Sequence, residues 1–129
     1  MDIDAPLKEL GDYDISGLRD LILALDEQAW FGNTYRQQEY DVHQMTNSIV
    51  MIFTDGSGWP EIEVRREAGW DLLAEQAVPL MQQILADHYP LGGTIIRAMA
   101  ARLEPGGTIK THRDSHPSFH YGHRIHLPI

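Results

Sequence analysis

His112 and Asp114 stand two residues apart, so on an extended strand both side chains leave the same face. A neutral imidazole beside a carboxylate supplies two of the three ligands in the 2-His-1-carboxylate set, which holds Fe(II) on one side and leaves the opposite positions open. A His-x-Asp pair taken alone is equally the mark of a solvated surface histidine beside an ordinary acid. Arg124 and His126 repeat the spacing within the last six residues, RIHLPI. If that run is a strand, Ile125, Leu127 and Ile129 take the other face and enter a core. Arginine suits a bidentate hold on a carboxylate, and such a charge-assisted bond is roughly twice as strong as a neutral one; the plain alternative for Arg124 is a cation at the rim. Further back, Ala98, Ala100 and Arg102 alternate onto one face. Two small side chains there would leave room beside a third cation.

These residues sit in a part of the chain whose charge differs from the rest. Residues 1–96 carry five basic side chains against 17 acids, a balance of −12, while Arg97, Arg102, Lys110, Arg113 and Arg124 face only Glu104 and Asp114 in residues 97–129, a balance of +3. Five of the seven histidines (His112, His116, His120, His123, His126) lie in the last 18 residues. An acidic body argues against nucleic acid as a partner, because phosphate binding wants a broad basic face. The carboxyl-terminal third suits a small anion, a metal, or both, unless it is simply a solvated histidine-rich tail. His112, His116 and His120 also have i, i+4 spacing, but Pro117 and the strand-like surroundings speak against a helical metal face.

No cysteine occurs among the 129 residues, which removes disulfides, thiolate-held metals and cysteine nucleophiles together. No run approaches the 18 or so apolar residues of a membrane span, and the amino terminus, MDIDAPLKEL, starts with acids where a signal peptide starts with bases. The expectation is a cytoplasmic protein.

The elements that must position the site read as helices first and strands afterwards. Ser16 can cap a helix whose buried face is Leu18, Leu21, Ile22 and Leu25. Asn47 to Thr54 is a β-rich run closed by a turn at Asp55-Gly56-Ser57-Gly58. Glu67 to Tyr89 reads as a helix with a stripe of Leu73, Ala77, Leu80, Met81 and Ile84, and Pro79 should kink it or begin its second half. From Thr94 the period changes to two. Thr94 to Glu104 is a candidate strand, Pro105-Gly106-Gly107 a turn, Thr108 to Asp114 a returning strand and Arg124 to Ile129 a third. No repeat or linker divides the chain. The expected fold is one α+β domain over residues 1–129, helical to about residue 90, with antiparallel strands of jelly-roll or barrel type from about residue 94.

The run Arg102-Leu103-Glu104-Pro105-Gly106-Gly107-Thr108-Ile109-Lys110-Thr111-His112-Arg113-Asp114, followed by Arg124-Ile125-His126-Leu127-Pro128-Ile129, resembles the core signature of the aspartyl/asparaginyl β-hydroxylase family. That family belongs to the Fe(II)- and 2-oxoglutarate-dependent dioxygenases, built on a double-stranded β-helix (jelly-roll, cupin-like) fold. The resemblance covers about residues 95–129 and loosens before them. It implies His112 and Asp114 as the first two iron ligands. Arg124 and His126 match positions that help bind 2-oxoglutarate or shape the pocket beside it, and Arg102 is the further cation for that cofactor. The implied reaction uses dioxygen to couple decarboxylation of 2-oxoglutarate to succinate and CO₂ with hydroxylation of an unactivated carbon, ascorbate serving as an accessory reductant. Its substrate would be an amino acid, an amino-acid residue in a peptide or a related small metabolite.

The resemblance also implies a last histidine ligand and a second arginine several strands beyond RIHLPI. The expectation is therefore the amino-terminal part of a longer dioxygenase with its β-helix incomplete in this chain. A second chain or homo-oligomer that supplies the missing strands, or a third ligand drawn from His116, His120, His123 or His126, would complete the site in other ways. A β-helix domain that binds or assembles without the complete metal site is the reading from another class.

Overall fold

A computed structural model describes residues 1–31, 46–54, 61–113, 116 and 118–129. The elements in chain order are α1 (Ser16–Ala24), α2 (Glu27–Phe31), β1 (Thr46–Phe53), β2 (Arg65–Arg66), α3 (Gly69–His88), β3 (Ala98–Leu103) and α4 (Ser118–Tyr121). The fold is mixed α/β: helices packed on a small antiparallel sheet of order β2-β1-β3. The expected turn at Asp55 to Gly58 lies outside the described residues.

The two amphipathic helices form where the apolar spacing places them. Leu18 of α1 is buried, with Leu21, Ile22 and Leu25 packed against the core. Ser16 is the first residue of α1 rather than its cap. Asp14 performs the local capping instead, its Oδ1 accepting from the Ser16 backbone N–H at 3.0 Å and from the Ser16 hydroxyl at 2.7 Å. These bonds hold the Asp14 carboxyl below the usual carboxylate range.

In α3 the buried residues are Gly69, Leu73, Ala77, Leu80 and Ile84. The helix runs through Pro79 instead of restarting there. Pro79 is exposed, so the carbonyl four residues back that loses its donor faces water rather than the core. The helix stops at Tyr89, the residue before Pro90, where the α conformation is disfavoured. Among the described residues, no helix is long and apolar enough to cross a membrane.

Strand β1 is the centre of the molecule. Six of its eight residues are buried, so both its faces are covered. It pairs antiparallel with β2 through Ile52 and Phe53 and with β3 from Thr46 to Ile52, with a bulge between Val50 and Ile52. Ile49, Met51 and Ile52 join Leu18, Trp30, Leu73, Ala77, Leu80 and Ile84 in one core cluster. The face of β3 carrying Ala98 and Ala100 lies against that cluster.

The turn after β3 is formed as the sequence predicts. Gly107 N–H donates to Glu104 O at 2.8 Å, and Gly106 has φ 76°, the type II arrangement with proline first and glycine second. No strand follows it among the described residues. Residues 108–113 are irregular and exposed, which corrects the expected hairpin. A type II turn has the wrong handedness for the right-handed twist of two adjoining strands, so the chain departs from β3 rather than folding back along it. The run Arg124 to Ile129 is likewise irregular. Only Leu127 reaches the core, while Ile125 and Ile129 stay 41% and 49% exposed. Alternating residues make a strand only where a neighbour completes the ladder, and among the described residues this run has none. The observed sheet therefore has three strands and is not itself a jelly roll.

Candidate functional site

Arg102 and Arg124, two of the expected site residues, lie at opposite ends of β3. His112 is exposed in the irregular segment after the type II turn, where its Nδ1 lies 2.8 Å from the Lys110 carbonyl. A carbonyl only accepts, so Nδ1 carries the hydrogen and Nε2 holds the lone pair. Asp114, its expected partner, lies outside the described residues. Among the described residues, no group of three or more His, Cys, Asp or Glu side chains is arranged to hold a metal. Of the donor set tested against Fe(II), His112 fits as an Nε2 ligand with a backbone carbonyl behind it.

Arg102 sits at the far end of β3 and faces α2. Its fork donates Nη1–H and Nη2–H to the two carboxylate oxygens of Glu27, both at 2.8 Å, and its guanidinium lies 4.7 Å from the Trp30 ring. Glu104 adds a contact at 3.4 Å and takes a hydrogen bond from the amide of buried Asn47. Arg102, expected as a further cation for the cofactor, thus grips a carboxylate of the chain itself, tying α2 to the sheet.

The Arg102 hydrogen bonds hold the Glu27 carboxyl below its ordinary value, against a smaller opposing effect of desolvation. The stabilisation is present above the ordinary carboxylate pKa and is lost as pH falls through the lowered folded-state value. We expect the Glu27 carboxyl resonance, followed by NMR titration, to move its midpoint upward in Arg102→Gln. An unchanged midpoint would mean that the pair does not persist in solution.

Arg124 lies at the other end of β3, in a cluster centred on Phe119 of α4. The Arg124 guanidinium is 4.5 Å from the Phe119 ring centre, and the Arg97 guanidinium 5.1 Å from the same ring and 4.9 Å from that of Phe53. Arg97 also donates to the Thr54 carbonyl at 3.5 Å. Arg97, just before β3, and Arg102 are five residue steps apart, about 17 Å along an extended chain. The structure therefore groups Arg124 with Arg97 and not with Arg102. His126 is exposed two residues beyond Arg124.

His116 meets the edge of the same cluster, its ring at 88° to that of Phe119 with centres 6.3 Å apart. Its Nδ1 accepts from the backbone N–H of buried Ser118 at 3.1 Å and lies 2.7 Å from the Ser118 hydroxyl, so the ring hydrogen is on Nε2. That atom is buried and, among the described residues, has no hydrogen-bond partner. His120 falls within the short α4, and the i, i+4 histidine run does not extend into one helix.

The end of α3 anchors the last segment. Tyr89 hydroxyl lies 3.1 Å from His123 Nδ1, with ring centres 5.6 Å apart, and burial pushes the Tyr89 hydroxyl pKa up.

Phe119 and Arg97 were not among the sequence-predicted site residues. Arg97 is visible there only as one of the five bases of the carboxyl-terminal third, and nothing in the sequence says that a phenylalanine 22 positions later packs against it. The chain matches no family model, no curated protein and no solved structure in comparisons with known proteins.

Proposed function

We propose that the chain belongs to an Fe(II)- and 2-oxoglutarate-dependent hydroxylase of the aspartyl/asparaginyl β-hydroxylase type. Its substrate is an amino acid, an amino-acid residue in a peptide or a related small metabolite. The observation that carries this reading beyond the sequence motif is the tautomer of His112. The Lys110 carbonyl takes the Nδ1 hydrogen and turns the lone pair onto Nε2, the arrangement histidine ligands use to fix their orientation and basicity.

His112 and Asp114 would hold the iron, and Arg124 and His126 the 2-oxo acid. When bound, the iron would let dioxygen act as the oxidant with 2-oxoglutarate as co-reductant, one oxygen atom replacing C–H by C–OH and the other entering succinate as CO₂ is lost. The chain's own part is binding and orientation. Arg124 offers a charge-assisted fork to a carboxylate, and its stacking on Phe119 limits the rotamers lost when the anion arrives. Arg102, committed to Glu27, serves the scaffold of this site rather than its ligand. A β-helix assembled on the β1–β3 pair and a cytoplasmic location belong to the same proposal.

A second reading is favoured by one observation. Residues 108–113 and 124–129, which carry the motif, lie outside the sheet, as in a β-helix domain that binds or assembles without a complete metal site.

The deciding experiment is succinate formation from 2-oxoglutarate with Fe(II) and ascorbate. We expect turnover by the chain to fall about 100-fold or more in the His112→Ala, Asp114→Ala double variant. Equal turnover in the two proteins selects the binding-domain reading.

A further inference from the structure

We infer that the last turn of α3 is a clasp that couples the amino-terminal arm, residues 1–15, to the segment carrying Arg124 and His126, so that loosening either end loosens the other. Three consecutive residues at the end of that helix reach two distant parts of the chain. Asp87 and His88 hold Tyr13. Its hydroxyl donates to Asp87 Oδ2 at 3.1 Å and lies 2.8 Å from His88 Nε2, with the Tyr13 and His88 rings edge to face and their centres 6.2 Å apart. A phenol has one hydrogen, so while it serves Asp87 the second contact needs a hydrogen on His88 Nε2. Tyr89, the next residue, meets the His123 ring.

The coupling follows from the turn these residues share. Helix ends are among the first parts of a fold to open. Here the Tyr89 backbone N–H donates to the Leu85 carbonyl at 2.9 Å before the chain becomes extended. That bond closes the turn around residues 86–88, so breaking it frees the backbone of Asp87 and His88 together with Tyr89. Both long-range contacts are then lost in one event. Conversely, each contact stabilises the closed turn on which the other depends, which is positive coupling through a shared local opening.

The effect reaches both ends. Leu10, Tyr13 and Ile15 pack against the core, and the Ser16 N–H donates to Asp14 Oδ1 at 3.0 Å beside them. At the other end the Gly122 N–H donates to the Ser118 carbonyl at 2.9 Å, closing α4 one residue before His123. Arg124 and His126 follow His123 by one and three residues, which makes the amino-terminal arm a positioning element for them. The clasp itself stands on these distances; that it governs a cofactor site rests on the hydroxylase reading proposed above.

Amide hydrogen exchange, followed by NMR on the full metal-free chain, tests the coupling. Tyr13→Phe removes one hydroxyl and keeps the ring, and Tyr89→Phe does the same on the other side. We expect faster exchange at Gly122 in Tyr13→Phe, at Ser16 in Tyr89→Phe, and at Tyr89 or its replacement in both, each by about threefold or more, the loss expected of one hydrogen bond. The two cross-effects should be equal, because coupling between sites is reciprocal. The Glu67 N–H, bonded to the Met51 carbonyl of the central strand, is the control and should not change. Where Tyr13→Phe is unfolded by circular dichroism, Asp87→Asn, which removes the charge from the same clasp, is expected to speed exchange at Gly122. Absent cross-effects, or cross-effects matched by an equal rise at Glu67, would overturn the inference, the second because it marks loss of stability throughout. Succinate formation is measured on the same proteins with Fe(II) and 2-oxoglutarate. Reciprocal cross-effects without turnover by the parent chain leave the clasp standing and sink the hydroxylase, and turnover without cross-effects does the reverse.

Discussion

Gly69→Ala should destabilise the fold by roughly 1–3 kcal/mol or more, through overpacking. A Cβ on Gly69 would overlap the Val50 carbonyl oxygen and stand 2.7 Å from Ile49 Cγ2. Val50 belongs to the central strand, so its carbonyl cannot swing away as a flexible side chain would. Relief requires that α3 lift off β1, opening the packing of Leu73 and Ala77 behind it. The control is Gly17→Ala in α1. There the new methyl would overlap only the amide end of the Gln76 side chain, which can move, and alanine is favoured over glycine inside a helix by up to about 1 kcal/mol. Equilibrium denaturation in urea should show a lower midpoint for Gly69→Ala and an equal or higher one for Gly17→Ala. Equal midpoints at Gly69 would mean that α3 does not seat on β1 at this distance.

Leu73→Ala should be comparably severe. Leu73 is 1% exposed and among the largest fully buried side chains. Its truncation removes transfer free energy and leaves a cavity, together about 2–5 kcal/mol. Against a typical stability of about 5–15 kcal/mol that is a large share. The expected fall in melting temperature is about 4 °C for each kcal/mol lost. The neighbouring Leu72, 40% exposed, serves as reference: Leu72→Ala should change stability by less than about 1 kcal/mol. Similar losses at both positions would place the core on a different face of α3.

What the sequence makes legible follows from how local each cause is. The stripes of α1 and α3 are written in a 3.6-residue period and reappear as buried faces. The β-rich run at residues 47–54 becomes the central strand, because apolar residues on both faces suit a strand covered on both sides. Pro105-Gly106-Gly107 predicts a turn and gives one. The chain's path afterwards depends on the handedness of that turn, which a list of turn-forming residues leaves unspecified. Arg124 to Ile129 alternates well, yet a strand needs a partner strand, and that partner cannot be read from the run itself.

The site divides along the same line. The tautomer of His112 is set by a carbonyl two residues away, a relation the spacing allows. The pairing of Arg102 with Glu27 spans 75 residues, and that of Arg97 with Phe119 spans the whole final segment. Neither has a local signature. Both arginines are visible as charges in the sequence, and only the fold decides which partners each takes.

The departure of the chain at the type II turn has a consequence for how the protein keeps to itself. Among the described residues β3 is an outer strand of the sheet, as β2 is on the other side, and an outer strand offers its backbone as a template on which a foreign chain can add. Here the template is only six residues long, and its partner strand carries a bulge beside it that disturbs the flatness an adding strand needs. Arg97 stands just before it and the Arg102–Glu27–Glu104 cluster near its far end, so an adding strand would have to pass charged side chains at both ends. The same turn that denies β3 a hairpin partner thus leaves a short, charged border that resists uncontrolled growth of the sheet from molecule to molecule.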